Sequence, residues 1–120
     1  MIRKERVYHS QPVKGEYRVL VDRLWPRGVS KEELRLDAWM KDLGPSTVLR
    51  RWFNHDPERF EDFKVRYLEE LKSKDKQALL QSLLSTAKQQ DIVLLYASRE
   101  EHYNQVTILL EVLASMGSND

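Results

Sequence analysis

The sequence predicts an α/β domain with a small, mostly parallel sheet flanked by helices, and three observations carry that expectation. First, Val19-Leu20-Val21 and Ile92-Val93-Leu94-Leu95-Tyr96-Ala97 are compact apolar runs rich in strand formers. The second run lacks the alternation of a sheet with one wet face, so both suit central parallel strands. Second, helical periodicity fills the stretch between the runs and resumes after the second. Third, the order strand, helices, strand, helix needs a crossover that returns the chain to a parallel neighbour, and such crossovers are nearly always right-handed.

The elements follow in order. Residues 2–8 are apolar only at Ile2, Val7 and Tyr8, which suits an edge strand, and Gly15 marks the turn after it. Ser30 with Glu33 three residues later forms a capping-box pattern, with Val29 and Leu34 placed as its hydrophobic staple, and opens a short helix. Pro45-Ser46 opens a second helix, with Leu49, Trp52 and Phe53 on one side. Asp56-Pro57 opens a third, Asp as N-cap and Pro at the first helical position; Phe60, Phe63, Tyr67, Leu68 and Leu71 give it an inward face. A fourth runs from about Asp75 to Gln90 on Leu79, Leu80, Leu83, Leu84 and Ala87. The last, from about Glu100 to Met116, carries Val106, Leu109, Leu110 and Leu113, with Gly117 as its C′ residue. The result reads as one Rossmann-like domain over residues 1–120, without repeats, and only the tail Ser118-Asn119-Asp120 reads as disordered.

Composition narrows the function classes. At 120 residues the chain has room for one core, and folding at this size hides roughly two-thirds of the unfolded surface without needing disulfides. There is no cysteine, which removes thiol nucleophiles, iron–sulfur clusters and cysteine-ligated zinc and fits a reducing compartment. With 20 lysines and arginines against 19 acidic residues, attraction to nucleic acid or to anionic membrane is not expected, so any anion binding must be local. Met1-Ile2-Arg3-Lys4-Glu5-Arg6 turns polar at once and the longest apolar run is far too short to cross a bilayer. The protein is therefore expected to be cytoplasmic.

In open parallel sheets the ligand crevice lies outside the strand C-termini. Two segments leave the strong strands there: Asp22-Arg23-Leu24-Trp25-Pro26-Arg27-Gly28 and Ser98-Arg99-Glu100-Glu101-His102-Tyr103-Asn104. Pro26 restricts Trp25 to extended backbone and Gly28 permits a positive φ, so the first segment reads as a shaped turn presenting Arg27. Arg23 and Arg27 beside the Trp25 indole suit bidentate capture of a phosphate or carboxylate, with the ring stacking on the ligand. The structural alternative has Asp22 and Arg23 pairing with neighbouring loops and Trp25 filling the core.

The second segment offers Ser98 as an N-cap, Arg99 as a cation at the strand end, and the N–H groups of the last helix, which favour anions. Glu100 and Glu101 count against the anion, since first-turn carboxylates stabilise a helix themselves. His55, in Asn54-His55-Asp56-Pro57, is a candidate general base or a residue that hydrogen-bonds its own loop. Lys41, Arg50 and Arg51 add positive charge near the same helices, although most such residues are solvated.

His9, His55 and His102 are too scattered for a metal motif, so no metal is expected. Only four glycines are present, and neither a phosphate loop nor a dinucleotide fingerprint occurs, so no cofactor is expected either. A Gly-x-Ser-x-Gly elbow is also missing.

The run from Arg18 to Gly28 resembles the opening signature of the YeaO-like family, small bacterial proteins classed as a domain of unknown function. The resemblance continues through Leu43-Gly44-Pro45-Ser46, Trp52-Phe53-Asn54-His55-Asp56-Pro57, the stretch from Phe63 to Leu71, and Leu94-Leu95-Tyr96-Ala97 to Asn104. It implies an α/β fold and a soluble bacterial protein, and carries over no catalytic residue. The family pattern usually has a lysine after the last strand and often a histidine directly before the asparagine. Arg99 and Tyr103 stand there in this chain, and His102 is one place earlier.

Two functions remain in view. In one, a small enzyme or sensor holds a phosphorylated or nucleotide-like ligand with Arg23, Trp25, Arg27, Arg99 and Asn104, and Asp22 or His55 acts as acid or base. In the other, Trp25, Trp39 and Trp52 with the arginines form a protein-binding surface. A concave pocket with Arg27 facing into it favours the first, and tryptophans on a flat exposed patch favour the second.

Overall fold

The computed structural model describes residues 1–117, so the tail expected to be disordered lies outside the described residues. The elements are β1 (Ile2–Arg6), β2 (Tyr17–Leu20), α1 (Lys31–Leu34), β3 (Ala38–Trp39), α2 (Thr47–Phe53), α3 (Phe60–Glu70), α4 (Lys74–Ala87), β4 (Ile92–Tyr96) and α5 (Gln105–Gly117). Four parallel strands form one sheet in the order β1-β4-β2-β3. The two strong apolar runs are the central neighbours, with Val19 opposite Leu94. The crossover from β3 back to β4 carries α2, α3 and α4.

Alternation along the strands divides the core between two faces. Val19, Ile92, Leu94 and Tyr96 pack with Phe53 of α2, Phe63 and Tyr67 of α3, Leu80 and Leu83 of α4 and Leu109 of α5. Leu20, Val93 and Leu95 face the other way, onto Val7, Leu34 and the partly buried Trp25 and Val29. Every residue of β4 is buried, which is why its sequence shows no alternation. The half-buried, charged β1 takes an edge.

Local chemistry sets the helix ends. The Glu33 N–H donates to the Ser30 hydroxyl at 3.1 Å and the Ser30 N–H to the Glu33 carboxylate at 3.2 Å, completing the capping box. That helix stops after four residues at Arg35, which turns left-handed with φ 50°. The buried Arg18 guanidinium donates to the Leu34 carbonyl at 2.8 Å and the Arg35 carbonyl at 3.2 Å. Ser46 caps α2 through the Leu49 N–H at 3.1 Å. Asp56 accepts from the Glu58 N–H at 3.0 Å and opens a 3₁₀ turn that runs into α3.

The final helix departs from expectation. It begins at Gln105 rather than near Glu100, because the side-chain Oδ1 of Asn104 accepts from the N–H groups of Val106 at 2.9 Å and Thr107 at 3.2 Å. Ser98 caps no helix; its hydroxyl accepts from the Glu100 N–H at 3.1 Å in a turn. Gly117 lies within α5, at the end of the described residues. The edge strand β3 has no apolar run to announce it: two residues suffice because Met40 N–H and Asp37 N–H also donate to β2 carbonyls, at 2.9 Å each.

Candidate functional site

Because all four strands are parallel, their C-termini share one edge, and a cleft of about 960 Å³ opens there. Its walls are the segment after β2, the segment from Ala97 to Gln105 after β4, Arg6 at the end of β1 and Tyr8 just beyond it, and Pro45, Arg50, Phe53 and His55 from the α2 region. Asp22, Arg23, Trp25, Arg27, His55, Arg99 and Asn104 all line it. What each side chain does there differs.

Asp22 sits at the junction of three elements. The Ala97 N–H donates to its Oδ2 at 2.8 Å, the Gln105 amide donates to its Oδ1, and its main-chain carbonyl accepts from the Trp39 indole at 2.7 Å. Burial pushes its carboxyl up to about 6, against the opposing pull of the Ala97 N–H, Gln105 and the Arg50 charge.

Arg23 is committed to the protein. Its Nε donates to the Pro45 carbonyl at 3.0 Å and its Nη2 to the Gly44 carbonyl at 2.9 Å, while Nη1 lies 3.8 Å from Asp42. It fixes the loop that forms one wall. The same loop is held by the Tyr67 hydroxyl, which donates to Leu43, and by Glu70, whose carboxylate accepts from the Ser46 N–H at 2.8 Å and hydroxyl at 2.6 Å.

The turn around Arg27 is shaped from within. Gly28 takes φ 76°, where a side chain would be strained. The Trp25 indole donates to Val29 at 2.6 Å and its ring meets Trp39 edge to face at 5.4 Å. The Tyr8 hydroxyl donates to the Arg27 carbonyl at 2.8 Å, and the Arg6 guanidinium lies 4.7 Å over the Tyr8 ring. Arg6 also donates to the carbonyls of Ala97 at 3.2 Å and Ser98 at 3.0 Å. The main chain of Arg27 is thus fixed, while its exposed guanidinium has no hydrogen-bond or ion-pair partner among the described residues.

Arg99 and Arg50 are exposed and line the cleft with no hydrogen-bonded or ion-paired side-chain partner among the described residues. The loop carrying Arg99 is self-supporting: the Glu100 carboxylate accepts from the N–H groups of His102 at 3.1 Å and Tyr103 at 3.3 Å, which hold it below the usual carboxylate range. Asn104 is buried, with its amide nitrogen on the Glu100 carbonyl and its oxygen capping α5, so its polar atoms are engaged within the chain. His55 follows Asn54 in left-handed backbone, φ 55° and 48°, and is exposed at the mouth. Among the described residues no group of three or more histidine and acidic side chains is placed to hold a metal ion.

Arg50 escaped the sequence reading as a site residue. One signal was available: it stands three residues before Phe53, and both line the cleft, as residues at that helical spacing share a face. Arg6 and Gln105 gave no signal, since their roles depend on contacts about ninety and eighty residues away.

A family model described as the inactive DUF488-N3 subclade matches residues 1–119. The uncharacterized protein YeaO of Escherichia coli (strain K12) is 37% identical over 115 residues, 96% of this chain and 98% of YeaO. Two mycobacterial proteins, Rv3073c of Mycobacterium tuberculosis (strain ATCC 25618 / H37Rv) and Mb3100c of Mycobacterium bovis (strain ATCC BAA-935 / AF2122/97), are 49% identical over 70 residues, 58% of this chain and 59% of each of theirs. No solved structure matches the chain significantly.

Proposed function

Since the chain belongs to the inactive DUF488-N3 subclade, we propose that its strand-edge cleft binds a small phosphorylated, nucleotide-like anion as a sensor or carrier rather than as an enzyme. The observation that carries this reading is the trio Arg27, Arg50 and Arg99, cations that line one cleft and have no ion-pair partner among the described residues. At an effective dielectric constant of about 20, like charges ~8 Å apart repel by about 2 kcal/mol, and an anion between them removes that cost. A guanidinium also matches the planar, bidentate geometry of a phosphate. The volume suits such a ligand, small-molecule sites being about 300–1,000 Å³, and the rings of Tyr8 and Trp25 give it an apolar wall.

The description of the family as inactive favours binding over turnover, and the cytoplasmic setting suggested by the cysteine-free sequence is part of the same proposal. The tryptophans favour the interaction-module reading less. The Trp25 and Trp39 N–H groups are spent on Val29 and Asp22 inside the chain, and Trp52 lies under Arg66 at 4.2 Å and Arg59 at 5.3 Å. Calorimetric titration with inorganic phosphate and nucleoside monophosphates tests the proposal. Binding that weakens as salt rises is the expected result, because exposed cations are screened; no heat with any of these ligands at low salt overturns it.

A further inference from the structure

Asp22 stands out in a cleft otherwise furnished for an anion. It is the largely buried carboxylate of the cleft wall, it forms no ion pair among the described residues, and five arginines line the same cavity. Three explanations compete. As part of a bare anion site Asp22 is counterproductive, since a carboxylate repels the ligand the arginines attract. As a staple between the ends of β2 and β4 and the start of α5 it is over-qualified. An asparagine would accept the Ala97 N–H equally well, and Gln105 would turn its amide to pair with the new NH₂, without burying a charge. What a carboxylate adds is acceptor capacity: each oxygen takes one protein donor and has a second lone pair to offer.

Resting on the anion-binding reading above, we infer that Asp22 is the specificity-determining residue of the cleft, accepting hydrogen bonds from the hydroxyl groups of a phosphorylated sugar, free or within a nucleotide. Its position supports this division of labour. The arginines with free guanidinium groups are exposed, whereas Asp22 is recessed against Ala97 and Gln105. A charged group entering the cleft meets cations first, and the neutral polyol part of the ligand fills the deeper wall. Hydrogen bonds to a charged group shielded from water are among the stronger ones and discriminate sharply against analogues lacking the donor.

The test compares ligands of equal charge: ribose 5-phosphate against propyl phosphate, which has the ester and no hydroxyls, with inorganic phosphate and adenosine monophosphate as further probes. Wild-type protein is expected to bind ribose 5-phosphate at least about tenfold more tightly than propyl phosphate. In Asp22→Asn that preference should collapse to about twofold or less, while affinity for inorganic phosphate stays equal or rises as a repelling charge is removed. Equal affinity for adenosine monophosphate and ribose 5-phosphate assigns the free sugar phosphate; tighter binding of the nucleotide assigns the nucleotide. Wild-type protein that binds phosphate but shows no preference for ribose 5-phosphate overturns the role of Asp22 and leaves the anion site standing, whether or not the variant folds. Binding of none of the four compounds overturns the anion site and this inference with it.

Discussion

Arg23 and Arg27, four residues apart in one turn, have opposite fates, and the difference predicts opposite mutational effects. Arg23 satisfies the carbonyls of Gly44 and Pro45, so Arg23→Ala should destabilise the unliganded protein by about 1.5–3 kcal/mol. The Arg27 guanidinium satisfies nothing in the chain, so Arg27→Ala should leave unliganded stability within about 0.5 kcal/mol. Urea denaturation of the two variants separates them. Asp22 makes a second prediction. Its carboxyl ionises near 3.8 when unfolded and near 6 when folded. Between those values the folded state holds a proton the unfolded state has lost, so stability falls as pH rises through this window, by on the order of 3 kcal/mol. Glu16, held low by its hydrogen bonds to Arg3, acts in the opposite sense and loses its contribution as pH falls. Comparing variant with parent cancels that term. Asp22→Asn should gain stability relative to wild type between pH 4 and pH 7, and parallel pH profiles would refute the buried-carboxylate account. The sequence made Asp22, Arg23 and Arg27 visible because a strand end, a proline and a glycine frame them. It did not reveal that Arg23 is spoken for, since its partners come from a loop about twenty residues away.

Elements whose ends are set by neighbouring residues were legible; those set by distant ones were not. The Ser30, Ser46 and Asp56 caps lie within three residues of the N–H groups they satisfy, and the buried central strands declare themselves by composition. The short β3 depends on β2 for all its pairing. The start of α5 was misread because Ser98 and Asn104 are both competent caps; Asn104 wins, its oxygen meeting two N–H groups. Asn104→Ala should therefore cost about 1–2 kcal/mol and speed hydrogen exchange at Val106 and Thr107; unchanged exchange there would argue that the cap is dispensable. Gly44 marks another contact that sequence spacing conceals. A Cβ placed there would lie 2.9 Å from the Arg23 nitrogen and 3.2 Å from the Val21 oxygen, both main chain. Since neither can swing aside, Gly44→Ala should destabilise by about 1–3 kcal/mol and displace the cleft wall that Pro45 forms, lowering anion affinity as well; a variant as stable as wild type would mean the loop is slack.

At the scale of the molecule, one sheet edge concentrates the features that the near-neutral net charge of +1 hides. The strands run parallel, so the segments after β1, β2 and β4 meet, and α2 brings Arg50 over the same opening. The seven residues singled out from sequence line one cleft because the rule for parallel sheets depends only on strand direction. What the sequence withheld was which of them are free to meet a ligand, a question settled by where loop carbonyls and helix N–H groups lie. The claim that these free arginines form one anion site has a direct measurement: thermal unfolding with and without phosphate or a nucleoside monophosphate, in wild type and Arg27→Ala. Ligand at 100 times its dissociation constant adds about 2.7 kcal/mol, which for a domain of this size raises the melting temperature by roughly 10 °C. One anion site requires that rise in wild type and its loss in Arg27→Ala, with the unliganded melting temperatures of the two proteins close together. No rise above about 1 °C in wild type, together with marked destabilisation of unliganded Arg27→Ala, would contradict it.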